Sequence, residues 1–285
     1  MIITRKEIKQ PYSEPFRLHL MSDLHIGAAN VDYDLIAREI AAAKASGARV
    51  AINGDVFDAI LPKDHRRFKP DCLHPLIQGR PDILDAAIEM ASDIFSPIKE
   101  QIDVIGMGNH ESAVEKYHST DLIARLIRRL GGAAQYGGYE GYIVYRIRKK
   151  SPRTKSCAAL IVYYHHGGGG AAPVTKGMID FARKGVWVDS DVVWLGHKHN
   201  RIVDSTPLRM RCPHIGDEPV YDKQVFIMTG GYMVRGTQTS AEVMDGGRRS
   251  SYAEDAGLAP QATGGVELLV KVDNSHGVRD IRVLI

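Results

Sequence analysis

The sequence predicts an α/β protein in which two β-sheets pack face to face with helices outside, a four-layer αββα sandwich. Two observations carry this expectation. The first half alternates apolar strands with amphipathic helical stretches, whereas from Arg201 onward strand patterns follow one another. Strands of the first half also stop abruptly at polar, chemically competent residues, the place where open α/β sheets put their chemistry. The clearest case is the apolar run Ala48 to Ile52, which ends in Asn53-Gly54-Asp55 and continues Val56-Phe57-Asp58.

The 285 residues are enough for one large α/β core. The chain reads as a single domain over 1–285, with insertions at about 61–81 and 233–265. Its 44% hydrophobic and 25% charged content is that of an ordinary globular protein. A net charge of +3 is too small to imply nucleic-acid binding by itself, so a basic surface would have to be local. Cys72, Cys157 and Cys212 form no CxxC pair. Neither a disulfide framework nor a cysteine zinc site is expected, and a reducing compartment fits. The N-terminal stretch has no signal-peptide core and no apolar run reaches membrane-span length, so the expectation is a cytoplasmic protein with no membrane partner.

Taken in order, Arg5 to Pro15 is polar, holds two prolines and reads as a lead-in. Phe16 to Met21 is the first strand. A helix follows from Asp32 through Ala45, with Leu35, Ile36, Ile40 and Ala43 on one face and Gly47 as its stop. With the strand ending at Ile52 this makes a βαβ unit, hence a parallel pair. The proline-bounded Leu61 to Pro70 carries Arg66 and Arg67. Asp82 to Ile98 reads as a helix with Ile83, Ala87, Met90 and Ile94 inward. Ile102 to Met107 is a strand, and Asp121 to Leu130 a helix capped by Ser119 or Thr120. Tyr142 to Ile147 and Ala158 to Tyr164 read as strands, Lys176 to Ala182 as a short helix and Val192 to Leu195 as a strand. The strand-rich end comprises Ile202 to Asp204, Leu208 to Arg211, Val225 to Thr229, Val266 to Val272 and Val278 to Leu284. Asn274 to Gly277 forms a hairpin signal, and Ser251 to Glu254 a capping box.

The residues at the strand ends are Asp23, His25, Asp55, Asn109, one of His165 and His166, His197 and His199. These oxygen and imidazole donors, without thiolates, suit Mn²⁺, Fe or Zn²⁺. Seven ligands are too many for one ion with an open position and suit two ions sharing a carboxylate. Asp-x-His and His-x-His, read as extended segments, would put both members of each pair on one side. The run His166 to Gly170 lacks the Lys-Ser/Thr of a P-loop.

The ordered set Asp23-x-His25, Gly54-Asp55-x-x-Asp58, Gly108-Asn109-His110-Glu111, His166 and Gly196-His197-x-His199 resembles the calcineurin-like metallophosphoesterases over roughly positions 17 to 200. The resemblance implies that one ion takes Asp23, His25, Asp55 and His199. The other would take Asp55, Asn109, His166 and His197, with Asp55 bridging. His166 is preferred to His165 because the family's ligand commonly stands directly before glycine. It further implies that His110 contacts phosphate and acts as general acid, with Asp58 and Glu111 orienting histidines through hydrogen bonds. Two divalent ions roughly 3.5–4 Å apart would hold a hydroxide and clamp an in-line displacement.

Within that resemblance the wording Ser-Asp-Leu-His-Ile-Gly and Gly-Asp-Val-Phe-Asp is most similar to the DNA-repair exonuclease and phosphodiesterase branch. Ala59 stands where protein phosphatases of the family carry an arginine. The expected activity is therefore phosphodiester hydrolysis, with DNA or RNA among the substrates and Mn²⁺ first among the metals. Asn109, His110, Arg66 and Arg67 are the candidate substrate contacts. A phosphomonoesterase or nucleotide hydrolase is the alternative, and a non-catalytic scaffold a lesser one.

Overall fold

The computed structural model describes residues 1–11, 13–59, 61, 72–149, 157–170, 175–211, 218–234, 261–272 and 278–285. The chain opens with strand β1 (Ile2–Gln10), where the sequence reads as a polar lead-in. Ile3, Arg5, Glu7 and Lys9 are its exposed positions, and β1 lies at the edge of its sheet, parallel to β6 (Glu140–Lys149). Charges on an edge strand discourage pairing with other chains, and they also hide the strand from a hydrophobic pattern.

Strand β2 (Phe16–Met21), helix α1 (Tyr33–Ser46) and strand β3 (Arg49–Ile52) form the expected βαβ unit, with β2 and β3 parallel. Leu35 N donates to the Asp32 carboxylate at 2.8 Å, Gly47 closes the helix at φ 67°, and Ile36, Ile40 and Ala43 are buried. Helix α2 (Ile83–Phe95) passes into a 3-10 turn, Ser96–Ile98. It buries Ala86, Ala87, Ile88, Ala91 and Phe95, leaving Ile83, Met90 and Ile94 at the margin of the core. The buried stripe is rotated from the expected one because α2 also packs on a neighbouring helix, Leu122–Leu130.

Strand β4 (Ile102–Gly106) leads into helix α3 (Asn109–His118), which the sequence does not announce, then α4 (Leu122–Leu130). The cap of α4 is Asp121, not Ser119 or Thr120. Its carboxylate accepts from Ala124 N at 2.8 Å, while Ser119 ends α3 in a left-handed conformation. Strand β5 (Gln135–Gly138) precedes β6, and β7 (Cys157–His165) follows it. Helix α5 is Met178–Gly185, starting two residues beyond the expected Lys176. The remaining strands are β8 (Val192–Leu195), β9 (Ile202–Asp204), β10 (Leu208–Arg211), β11 (Val220–Lys223), β12 (Val225–Met228), β13 (Val266–Val272) and β14 (Val278–Leu284). The expected turn at Asn274 to Gly277 and the helix at Ser251 to Glu254 lie outside the described residues.

One mixed sheet has the order β14-β13-β2-β3-β4-β5 and the other β1-β6-β7-β8-β12-β9, with β10 and β11 as a separate hairpin. Between the sheets lie Leu18, Leu20, Ala51 and Val104 from one side and Ile143, Val162, Trp194 and Ile227 from the other. The outer face of the first sheet, including Val50, Ile52 and Ile105, is covered by Ile36, Ile40, Ala87 and Leu126 of the helices. The outer face of the second, with Tyr163, Val193 and Phe226, is covered by Phe181 of α5. This is the four-layer αββα arrangement. No helix among the described residues is long and apolar enough to cross a membrane.

Candidate metal centre

Five strands, β2, β3, β4, β7 and β8, each end one to three residues before a candidate ligand, and their ends meet between the two sheets. Three overlapping groups bring ligand atoms within 4.8 Å of one another: Asp23 with His25 and His199, His25 with Asp55 and His110, and Asp55 with His166 and His197. Asp23, His25, Asp55 and His166 are buried.

The backbone there is not extended, as the Asp-x-His and His-x-His spacing had implied. Asp23, His25, Asp55, His197 and His199 have φ of 56°, 50°, 45°, 71° and 53°. Among the described residues these are five of the eight non-glycine positions with positive φ, so the strain is concentrated on the candidate ligands. Left-handed turns, rather than alternation along a strand, aim the paired side chains inward. Neighbouring glycines make room: a Cβ on Gly108 would lie 2.1 Å from Asp55 Oδ1.

Hydrogen bonds separate the two adjacent histidines. His166 Nδ1 donates to Asn53 O at 2.8 Å, leaving Nε2 3.2 Å from Asp55 Oδ2 and 3.3 Å from Asn109 Oδ1. The His165 ring instead accepts from Gly167 N at 2.8 Å, and Tyr139 packs edge-on against both rings. Asp58 reaches two rings: its Oδ1 lies 3.5 Å from His25 Nδ1, and its backbone carbonyl accepts from His110 Nδ1. Glu111 orients no histidine. It accepts from the backbone N–H groups of Asp55, Phe57 and Gly108 at 3.1, 2.9 and 2.8 Å, tying the β3 and β4 loops together. His110 N donates to Asp55 Oδ1 at 2.9 Å, which sets that carboxylate at the N-terminus of α3.

The electrostatics follow from this crowding. Burial alone would raise the Asp55 carboxyl, but His166, His110 and His25 hold it below the usual carboxylate range. Burial opposes charge on His166 as well, yet Asp55 and Asp23 push its pKa up to about 10. For His110 burial is likewise outweighed by Asp55 and Asp58, which raise it. Burial and the nearby Asp55 push Glu111 up to about 7, while burial and Lys184 push His165 down to about 4.

The residues fit divalent cations. His25 Nε2 and His199 Nε2 are 3.1 Å apart, a distance at which two lone pairs repel unless a proton or a cation lies between them. Asn109 Oδ1 lies 2.6 Å from His197 Nδ1 and 3.2 Å from Asp55 Oδ2. Turning the amide over would convert these contacts into hydrogen bonds, so the oxygen-inward orientation is the one that suits a cation. Arg66 and Arg67 lie outside the described residues, as do Arg235, Arg248, Arg249 and Tyr252. One further segment reaches the centre, Thr229 to Met233. Tyr232 N donates to Asp23 O at 3.1 Å, and a Cβ on Gly231 would lie 2.7 Å from the His199 ring. The Gly-Gly pair directly after an apolar strand is the sequence signal that marks it.

Fold and site together define a two-sheet α/β sandwich with a cluster of metal-type donors at its strand ends. No family model matches the chain, and no curated protein matches it. Solved structures are similar at a distance. Wild-type Vps29 complexed with Zn²⁺ from Entamoeba histolytica is 9% identical at a TM-score of 0.38, covering 91% of this chain and 88% of that one. A conserved uncharacterized protein from Streptococcus pneumoniae, described as a predicted phosphoesterase, is 12% identical at 0.34, covering 94% and 97%. GAP50, described as the anchor in the inner membrane complex of Plasmodium, is 11% identical at 0.46, covering 95% and 89%.

Proposed function

We propose that the chain is a phosphoester hydrolase that works with two divalent metal ions, and that its substrates are phosphodiesters, DNA or RNA among them. The observation that carries this reading is the meeting of Asp23, His25, Asp55, Asn109, His166, His197 and His199 at five strand ends, with His110 beside them. Asp23, His25, Asp55 and His199 would hold one ion, and Asp55, Asn109, His166 and His197 the other. Mn²⁺ is the first candidate, with Fe and Zn²⁺ as the others. Bound there, the ions would neutralise the phosphoryl oxygens and make water acidic enough to supply a nucleophile near neutral pH.

The chain's own residues supply the rest. His110 Nδ1–H donates to the Asp58 carbonyl, so Nε2 is the atom that can hand a proton to the departing oxygen. Asp55 and Asp58 favour its protonated form, which is the form a general acid needs. Asp58 also faces His25 Nδ1 at 3.5 Å, which turns His25 Nε2 toward His199. Ala59 directly follows Asp58 and offers no cation. A phosphodiester, with a single negative charge, needs less from that position than a phosphomonoester does.

The test compares Mn²⁺-dependent hydrolysis of a simple phosphodiester and a simple phosphomonoester by wild type and His110→Ala. Diester turnover should predominate and fall about 10²–10⁴-fold in the variant. Predominant monoester turnover would move the protein to the phosphatases. An absence of turnover with ions bound would leave it a scaffold.

A further inference from the structure

A buried line of polar side chains runs from the core between the sheets to Asp23. Trp194 Nε1 lies 3.1 Å from Thr229 Oγ1, Thr229 Oγ1 lies 2.6 Å from Ser22 Oγ, and Ser22 Oγ contacts Asp23 Oδ2. Ser22, Thr229 and Asp23 have no exposed surface, and Trp194 has 1%. Polar groups in such a place are costly unless every one is satisfied, so their placement is informative.

The direction of the line is fixed by its ends. An indole N–H can only donate and a carboxylate can only accept. The two hydroxyl protons must serve two contacts, Thr229 to Ser22 and Ser22 to Asp23. Leu195 O, 3.5 Å from Thr229 Oγ1, is the poorer acceptor, because a proton spent there would reverse Ser22 and leave its close contact with Asp23 Oδ2 with no proton between the two oxygens. Trp194 fills a lone pair of Thr229 and turns the Thr229 proton toward Ser22. At the far end His197 N donates to both Asp23 oxygens at 3.0 Å, while Ser22 meets only Oδ2 and Oδ1 faces His199 Nε2 at 3.4 Å. Gly196 permits the approach, since a Cβ there would lie 2.9 Å from both Asp23 Oδ2 and Ser22 Oγ.

We infer that Trp194, Thr229 and Ser22 are positioning residues: their one-directional hydrogen-bond line locks the Asp23 carboxylate so that Oδ1 is presented to the cation. This rests on the reading of Asp23 as a metal ligand. The line also joins that ligand to β8 and to the residue after β12, so the second sheet helps to set a ligand carried by the first.

The experiment is a calorimetric Mn²⁺ titration of wild type, Thr229→Val, Thr229→Ser, Ser22→Ala and the Ser22→Ala/Thr229→Val double variant, with thermal unfolding of each metal-free protein alongside. Thr229→Val keeps the shape and removes the hydroxyl. It should weaken one of the two ions about 10- to 100-fold, and Thr229→Ser should restore most of that loss. Because the line acts as a unit, the double variant should be no weaker than either single one. A Zn²⁺ titration should also shift the Trp194 indole N–H resonance in wild type and leave it unmoved in Ser22→Ala. If Thr229→Val fails to fold, Ser22→Ala and the indole resonance still decide. Unchanged affinity in Ser22→Ala, or losses that multiply in the double variant, would overturn the inference while the metal reading stands. A wild type that binds no ion would bring down the metal reading, and the inference with it.

Discussion

His165 and His166 are neighbours in sequence and opposites in chemistry. The first ends β7 with its ring accepting from Gly167 N and its pKa pushed down to about 4 by burial and Lys184. The second is buried beside two carboxylates that outweigh that burial and raise it to about 10. A metal-free His166 is therefore protonated at neutral pH, and an ion bound there must displace that proton. Titrating Mn²⁺ at pH 7.5 in two buffers of different ionisation enthalpy should reveal about one proton released, and His166→Gln should lose the release. Tight binding with no proton exchanged would show that His166 is not a ligand. Ambiguity between the two histidines is inherent in the sequence, because either can reach a ligand position until the turn after the strand is known.

At the scale of elements, legibility followed the hydrophobic pattern. Helix α1 stands where its cap, its apolar face and its terminal glycine place it. Helix α3 buries only Glu111 and Val114, so it gives no periodic signal, and its stability comes from Glu111 holding the loop amides. Strand β1 was hidden by its edge charges, and Lys6 on its inner face reaches Asp103 at 3.3 Å. Asp103 is fully buried and also takes a bidentate contact from Arg49. Two substitutions separate these kinds of support. Asp121→Ala, at the α4 cap, should cost about 0.5–2 kcal/mol in chemical denaturation. Asp103→Ala leaves Lys6 and Arg49 without the carboxylate they share and should cost about 3–5 kcal/mol. Neither residue contacts the metal centre, so Mn²⁺ affinity should be unchanged in both. Equal costs would mean that the Asp103 cluster is solvated in a way its burial does not suggest.

At the scale of the whole molecule, the proposed metal centre would couple stability to metal and to pH. Without ions, folding keeps a proton on Glu111 up to about 7 and on His166 up to about 10, above the ordinary 4.5 and 6.5. The native state then holds protons that the unfolded chain releases, so both groups lose their contribution as pH rises. The Glu111 contribution falls from pH 4.5 through about 7, and that of His166 from 6.5 through about 10. The melting temperature of chelated protein should therefore decline between pH 7 and 10. Ion binding needs the deprotonated ring, so added Mn²⁺ should raise the melting temperature more at pH 9 than at pH 7. At 100 times the dissociation constant each ion adds about 2.7 kcal/mol. Scanning calorimetry with and without Mn²⁺ checks both slopes, and a metal effect that shrinks with rising pH would contradict this coupling.

The sequence by itself determined the two-sheet α/β class, the strands that carry the centre, and the kinds of donor found there. It could do so because burial imposes a period on apolar residues, and because strand ends are marked by glycine, aspartate and histidine. Tertiary structure alone decided three things. It turned the paired candidate ligands inward through left-handed backbone rather than through strand alternation. It sent Glu111 to backbone amides instead of to a histidine. It brought Trp194 and Thr229 of one sheet to Ser22 of the other. Each of these depends on which loops meet in space, and a local pattern along the chain carries no record of the partner it will meet.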